Sequence, residues 1–423
     1  MKRSSVRVLC RWVLPAVVVT AFALAGPRPA AGDDWPQFRG PHSNNHVTGF
    51  TVPATWPKEL KKQWSVTVGE GLASPALVGD KVYTFTRVGG DEVITCLDAA
   101  TGKEVWKDKY ETAAVTGPDS GFPGPRSSPS VGDGKICTYG VNGIVSCLDA
   151  ASGKVAWRKD TKARPQFHTS QSPVIADGKC ILDVGGGGGG KGGKGGGGKG
   201  ELTAFDLANG EAKWKLEGEA PSYGSPVVAT IDGTKQVVVL TTTNLIGVGL
   251  ADGKLLWSTP LNVGRYPTAT PVIDGNTVIC GPAAFTIGKS GDTFEAKQAF
   301  KPAIAPHQYN TPVLKDGVIY GLTGTNGVQA KTTNIYAADA KTGKELWKDG
   351  TNRGECGSIL DTGPVLVELS SDNNLVVFKP DKTEFKEVAK YKVADTPVLS
   401  LPILAGKRIY VKDKESLILW TVE

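Results

Sequence analysis

Short runs in which apolar and polar residues alternate recur along the whole chain, and each ends in the same kind of corner. The stretch Cys96-Leu97-Asp98-Ala99-Ala100-Thr101-Gly102-Lys103-Glu104-Val105-Trp106 returns at residues 147–157, 204–214, 247–257 and 337–347. In every copy a Gly stands four residues before the Trp, and in four of the five an Asp stands eight before it. The pattern reads as a hairpin. An alternating strand runs into Asp, whose carboxylate can cap the N–H groups of the next turn; Gly supplies a left-handed position, and a second strand carries the Trp away.

Upstream of each copy lies a second hairpin, opened by a small residue and Pro and reversed at Asp-Gly or its equivalent. It appears as Ser74-Pro75 with Gly79-Asp80, Ser128-Pro129 with Asp133-Gly134, Ser172-Pro173 with Asp177-Gly178, and Ser225-Pro226 with Asp232-Gly233. Thr270-Pro271 with Asp274-Gly275 and Thr311-Pro312 with Asp316-Gly317 continue the series. Two hairpins make a unit of four antiparallel strands, and a spacing of roughly 40–55 residues fits a propeller blade rather than a short-period solenoid. One such sheet cannot bury both faces alone, so each unit must stack on its neighbours. A Trp offers ~150–250 Å² for that contact, so Trp64, Trp106, Trp157, Trp214, Trp257 and Trp347 are read as docking wedges.

The fold class is therefore all-β. Counting from Ser74, Ser128, Ser172, Ser225, Thr270, Thr311, Ser358 and Ser400 gives an eight-bladed β-propeller with four-stranded antiparallel blades. The fifth and seventh units lack the Trp and keep only strand remnants such as 294–300 and 375–378, which makes seven blades the alternative. Lys62-Gln63-Trp64-Ser65-Val66-Thr67 reads as the outer strand of a blade whose other strands, around 409–411 and 417–420, come from the C-terminus; closing the ring this way removes free sheet edges. Residues 33–60, a Pro-rich arm with Trp35, Trp56, His42 and His46, are expected to pack across one face, and residues 61–423 to form the propeller.

The repeat, which residues 337–347 nearly match as A-x-D-x-x-T-G-K-E-x-W, resembles the tryptophan-docking motif of the pyrroloquinoline-quinone (PQQ) propeller family. That family includes quinoprotein dehydrogenases and the outer-membrane assembly factor BamB. The opening Asp34-Trp35-Pro36-Gln37-Phe38-Arg39-Gly40-Pro41 is similar to the start of secreted bacterial proteins carrying PQQ-like repeats. The resemblance covers nearly all of the chain beyond residue 32, and it speaks for fold more than for chemistry.

Composition adds a compartment. Residues 1–32 read as a signal peptide, with Lys2, Arg3, Arg7 and Arg11 ahead of an apolar run over 12–25 and Ala30-Ala31-Gly32 as a cleavage site. That run is short for a spanning helix and holds Pro15, so no transmembrane span is expected after cleavage. The chain carries a net charge of +6, and losing the five basic residues of the leader leaves +1, with no footprint for nucleic acid. Cys10 precedes the apolar run, so no lipid-attachment Cys follows it; the protein is expected to be periplasmic or secreted, and a monomer. Cys96, Cys137, Cys147, Cys180, Cys280 and Cys356 remain, without a CxxC or adjacent pair, and are read as core thiols with a disulfide as the alternative. Residues 185–200, almost all Gly with Lys191, Lys194 and Lys199, read as a flexible loop at a hairpin tip.

Propellers hold ligands at the channel mouth, on the loops that enter each innermost strand. Those loops carry Arg126, His168, Gln171, Tyr223, Arg265, Tyr266, His307, Tyr309, Asn310, Arg353 and Glu355. Guanidinium groups with aromatic faces suit a small anionic or polyhydroxylated ligand, and the alternative is that these side chains satisfy one another. His168 and His307 without a carboxylate motif do not make a metal site. No nucleophile elbow, P-loop, zincin run or dinucleotide fingerprint occurs.

The resemblance implies PQQ as a cofactor, with calcium if PQQ binds. It also implies an adjacent Cys pair and calcium ligands in a catalytic member, and neither can be placed here, so no catalytic residue carries over. The expectation is an exported scaffold that binds a ligand or an envelope protein without catalysis. A PQQ-dependent oxidoreductase of alcohols or sugars and a BamB-like assembly factor are the alternatives.

Overall fold

A computed structural model describes residues 1, 34–117, 120–163, 165, 167–185, 200–263, 268–327 and 329–423. Residues 2–33, residues 186–199 of the Gly/Lys stretch, Arg265 and Tyr266 fall outside these residues. Among the described residues there is no α-helix, and the strands form eight separate four-stranded sheets. Blade 1 is built from Ala76–Val78, Lys81–Val88, Asp91–Asp98 and Glu104–Glu111, innermost to outermost. Blades 2 to 7 follow over residues 130–160, 174–217, 227–260, 272–300, 313–348 and 357–392. Blade 8 takes its outermost strand, Lys61–Thr67, from the N-terminal side and Ile403–Ala405, Arg408–Lys412 and Ser416–Thr421 from the C-terminal end. The count is eight. Units 5 and 7 are complete sheets and not remnants, because strand pairing needs alternation and turns but not the indole; Thr293–Phe300 and Lys386–Lys392 are their outer strands.

The corner works as its residues dictate. Asp98 Oδ1 accepts from the Thr101 N–H at 2.9 Å and from the Thr101 hydroxyl at 2.7 Å, and Gly102 follows at φ 70°. Asp149 and Asp339 do the same for Ser152 and Thr342. The left-handed Gly also makes room: a Cβ on Gly102, Gly153, Gly210 or Gly253 would meet the ring of Trp64, Trp106, Trp157 or Trp214 at 2.9, 2.5, 2.6 and 2.7 Å. Each of those rings belongs to the preceding blade, and its Nε1–H donates to a carbonyl in the next blade's corner: Trp64 to Ala100 and Trp106 to Ala150 at 3.0 Å, Trp157 to Leu207 and Trp214 to Leu250 at 3.1 Å. The exceptions follow from missing corners. Blade 5 offers none to Trp257, so its indole turns back to Gln236 Oε1 of its own blade at 2.6 Å, and Gly247 stands where a Cβ would meet Trp257 Nε1 at 2.1 Å.

A second belt runs around the axis. The backbone N–H of Ser74 donates to the Ser128 hydroxyl at 3.0 Å, Ser128 to Ser172 at 3.0 Å, Ser172 to Ser225 at 2.9 Å, Ser225 to Thr270 at 3.2 Å and Thr270 to Thr311 at 3.3 Å. Leu401 of blade 8 donates to the Ser74 hydroxyl at 2.8 Å and brings the belt back to its start. These are the small residues before each Pro. Most blades are thus tied to the next at the outer strand through an indole, at the inner strand through a hydroxyl, or both.

The arm lies across the hairpin-turn face and reaches five blades. Trp35 pairs with Leu77, Pro36 accepts from Val131, Asn45 Nδ2 donates to Ile359, and Thr51 donates to Gly406. Arg39 reaches the blade 6 carbonyl of Pro312 at 2.9 Å. Trp214 is 7% exposed; Trp214→Ala is expected to lower stability by roughly 3–5 kcal/mol, read as a shift in urea midpoint, since it removes a buried aromatic and leaves a cavity between blades.

Candidate functional site

Antiparallel strands put the entry loops and the loops between second and third strands on the face opposite the arm. The candidate residues separate there into two groups. Gln171 and Asn310 are staples. Gln171, 2% exposed, accepts from the Asp183 N–H of its own blade at 3.2 Å and donates to the Ser222 carbonyl ahead of the next blade at 3.0 Å. Asn310 repeats this with the Leu322 N–H at 2.9 Å and the Gly357 carbonyl at 3.1 Å.

His307 is buried and held at both nitrogens. The Ala330 carbonyl, 3.0 Å from Nε2, can only accept, and the Tyr309 N–H, 3.3 Å from Nδ1, can only donate. Nε2 therefore carries the proton and the ring is neutral; burial pushes its pKa below the ordinary His value. Arg353 is also interior. It touches Asp349 Oδ2 at 2.7 Å, stands 3.6 Å from Glu368 Oε2, and packs its guanidinium 5.4 Å from the Phe385 ring centre.

The second group meets solvent. Tyr309 is 54% exposed, its ring edge-on to His307 at 5.6 Å. Glu355 accepts from Lys331 at 3.0 Å. Half-buried Tyr223 stacks edge-on with Phe167 at 6.2 Å and takes the Phe167 N–H on its hydroxyl at 3.3 Å. His168 stands at φ 60°, and half-buried Arg126 donates to the Phe122 carbonyl at 3.3 Å. Arg265 and Tyr266 lie outside the described residues.

The sequence reading passed over three features of this face. Phe122, 50% exposed, sits in the same loop as Arg126 and was overlooked because it is apolar. A groove of about 430 Å³ opens at the closure between blades 8 and 1, lined by Glu70, Arg87, Glu104, Lys107 and Glu415 among others. No motif marks it, because it is made by the two ends of the chain meeting. Finally, ionisable groups are buried between blades. Glu92 accepts from the Val141 N–H at 2.8 Å and the Tyr110 hydroxyl at 2.5 Å. Lys412 donates to the Gly71 carbonyl at 2.7 Å, and burial pushes its pKa down to about 8. Burial holds the Asp183 carboxyl well above its usual range. Such groups read as ordinary surface charges when only their neighbours in sequence are seen.

The fit to a planar tricarboxylate is poor. Of the three guanidiniums expected to face it, Arg353 is committed to Asp349 and Glu368, and Arg126 is turned to a backbone carbonyl. Among the described residues no three His, Cys, Asp or Glu side chains are grouped to hold a metal ion, and the six Cys are free thiols. No step through PQQ is derived.

A family model described as outer membrane protein assembly factor BamB matches residues 52–191 and 90–349. The chain is 24% identical over 366 residues to outer membrane protein assembly factor BamB of Burkholderia pseudomallei, covering 84% of this chain and 85% of the relative. Among solved structures it resembles quinohemoprotein alcohol dehydrogenase from Comamonas testosteroni, with a TM-score of 0.66 at 16% identity over 93% of this chain and 81% of that one. BamB from Moraxella catarrhalis superimposes with a TM-score of 0.59 at 13% identity over 86% and 97%. At these identities the structural likeness speaks for the fold.

Burial pushes the Glu368 carboxyl up to about 8, one guanidinium being shared with Asp349. The unfolded chain releases that proton at an ordinary value of about 4.3, so the folded state holds a proton the unfolded state lacks, and stability falls as pH rises through the window. Wild-type melting temperature is expected to decline from about pH 5 to about pH 8 more steeply than that of Glu368→Gln, which keeps the shape without titrating.

Proposed function

The chain belongs to the PQQ-repeat family described as outer membrane protein assembly factor BamB, and we propose on that basis that it is an envelope protein-interaction scaffold without catalysis of its own. The observation that carries this reading is the division of labour on the entry-loop face. Gln171, His307, Asn310 and Arg353 spend their polar groups inside the ring, whereas Phe122, between blades 1 and 2, and Tyr309, near the Lys331–Glu355 pair, stand about half exposed on entry loops. Aromatics in a polar rim are the usual anchors of a protein partner. The arm bonds to blades 1, 2, 6, 7 and 8 on the opposite face and leaves these loops uncovered.

By likeness to BamB, the partner class is a component of outer-membrane protein assembly in the periplasm. Export through the leader over residues 1–32 belongs to the same proposal, as does a monomeric scaffold. Capture from a solubilised envelope extract tests it: wild type is expected to retain a discrete partner set, and the Phe122→Ala/Tyr309→Ala double variant, folded by circular dichroism, to lose at least roughly tenfold in retention, as removal of paired aromatic hot spots implies. Equal retention would overturn the reading.

The quinoprotein reading rests on the fold likeness and predicts the reverse. Titration with PQQ and calcium is expected to show no saturable change in PQQ absorbance and no dye-linked oxidation of alcohols or sugars above a heat-killed control. Stoichiometric binding lost on Arg126→Ala would displace the scaffold proposal.

A further inference from the structure

The arm brings one group to the axis whose chemistry is incomplete. Arg39 is 1% exposed. Its Nε donates to the Ser43 carbonyl at 3.1 Å and its Nη2 to the Pro312 carbonyl at 2.9 Å, while Nη1 is buried without a partner. Among the described residues no carboxylate pairs with it. Its pKa is pushed down to about 9 by burial, with no charged neighbour contributing, so it still carries a full charge at neutral pH. The backbone is set for this placement: Arg39 lies at φ 65° and Gly40 at φ 83°, and a Cβ on Gly40 would meet the Trp35 ring at 2.8 Å. Left-handed backbone at a non-Gly residue persists only where the surroundings over-determine it.

Taking a guanidinium out of water without a counter-charge is among the most unfavourable arrangements a core can contain, and Arg cannot escape by shedding its proton as a Lys or carboxylate can. Two neutral carbonyls answer two of its three nitrogens and leave the charge itself unbalanced. Trp35 Nε1, from the same turn of the arm, is a second buried donor without an acceptor. Asn45, whose N–H donates to the Arg39 carbonyl at 2.9 Å, has a buried Oδ1 without a donor, but that oxygen is neutral and leaves the demand for a negative charge unmet.

We propose that Arg39 Nη1 holds a small inorganic anion, a halide such as chloride, enclosed between the arm and the innermost strands. The anion is taken up as the arm docks and is linked to the arm's docking rather than to any partner on the opposite face. Size follows from enclosure: with Arg39 covered, an organic carboxylate has no route for its tail.

Two measurements test this. In crystals grown with sodium bromide, an anomalous peak is expected within hydrogen-bond distance of Arg39 Nη1; a water there, or nothing, overturns the proposal. Thermal unfolding of the wild-type chain is expected at a higher temperature in sodium chloride or bromide than in sodium gluconate of equal ionic strength, because an ion that binds only the folded state stabilises it by mass action. Arg39→Met, which removes the charge but fills the space, is expected to abolish that difference. Should this variant fail to fold, the bromide map and the wild-type comparison still decide. Equal melting temperatures in halide and gluconate for the wild-type chain would sink the idea, whatever the variant does.

Discussion

What the ring depends on is the handing of one blade's donor to the next blade's acceptor. No blade has a core of its own to speak of, since each four-stranded sheet has two apolar faces and must borrow its neighbours to cover them. Directional bonds fix how far each blade is rotated against the next: an indole N–H pointing into the following corner at the outer strand, and a backbone N–H pointing into the following Ser or Thr hydroxyl at the inner one. Two points of attachment at different radii define an angle, and eight such angles must add up to a full turn.

Much of this was legible in the chain. The Gly four residues before each Trp announces itself because only Gly leaves both the left-handed backbone and the space an indole needs, and the structure finds the two in contact at Gly153 and Gly210. The number of blades was readable from the small residue that opens each unit, although units 5 and 7 look degenerate when the Trp is taken as the marker. The hydroxyl belt was seen only as a small residue preceding Pro. Its role escaped because the acceptor for the Ser74 N–H is 54 residues away, at Ser128, and no local pattern couples the two.

The site was less legible. Gln171 and Asn310 look like ligand groups in a list of polar residues, yet each binds one strand with its carbonyl and another blade's loop with its amide. A polar residue at a channel mouth has to satisfy the open backbone of its own loops before it can serve a guest, and that debt is invisible in a sequence. The same holds for Arg353, which reads as a free cation and is enclosed with Asp349 and Glu368 because the blade 6 to blade 7 passage folds over it.

The joining of Lys61–Thr67 to Ser416–Thr421 puts two segments far apart in the chain into one sheet. Blades 1 to 7 are each built from consecutive strands, whereas blade 8 alone needs strands from both sides of the ring. Loss of Ser416–Thr421 would leave Lys61–Thr67 without its partner strand and the ring open at that seam.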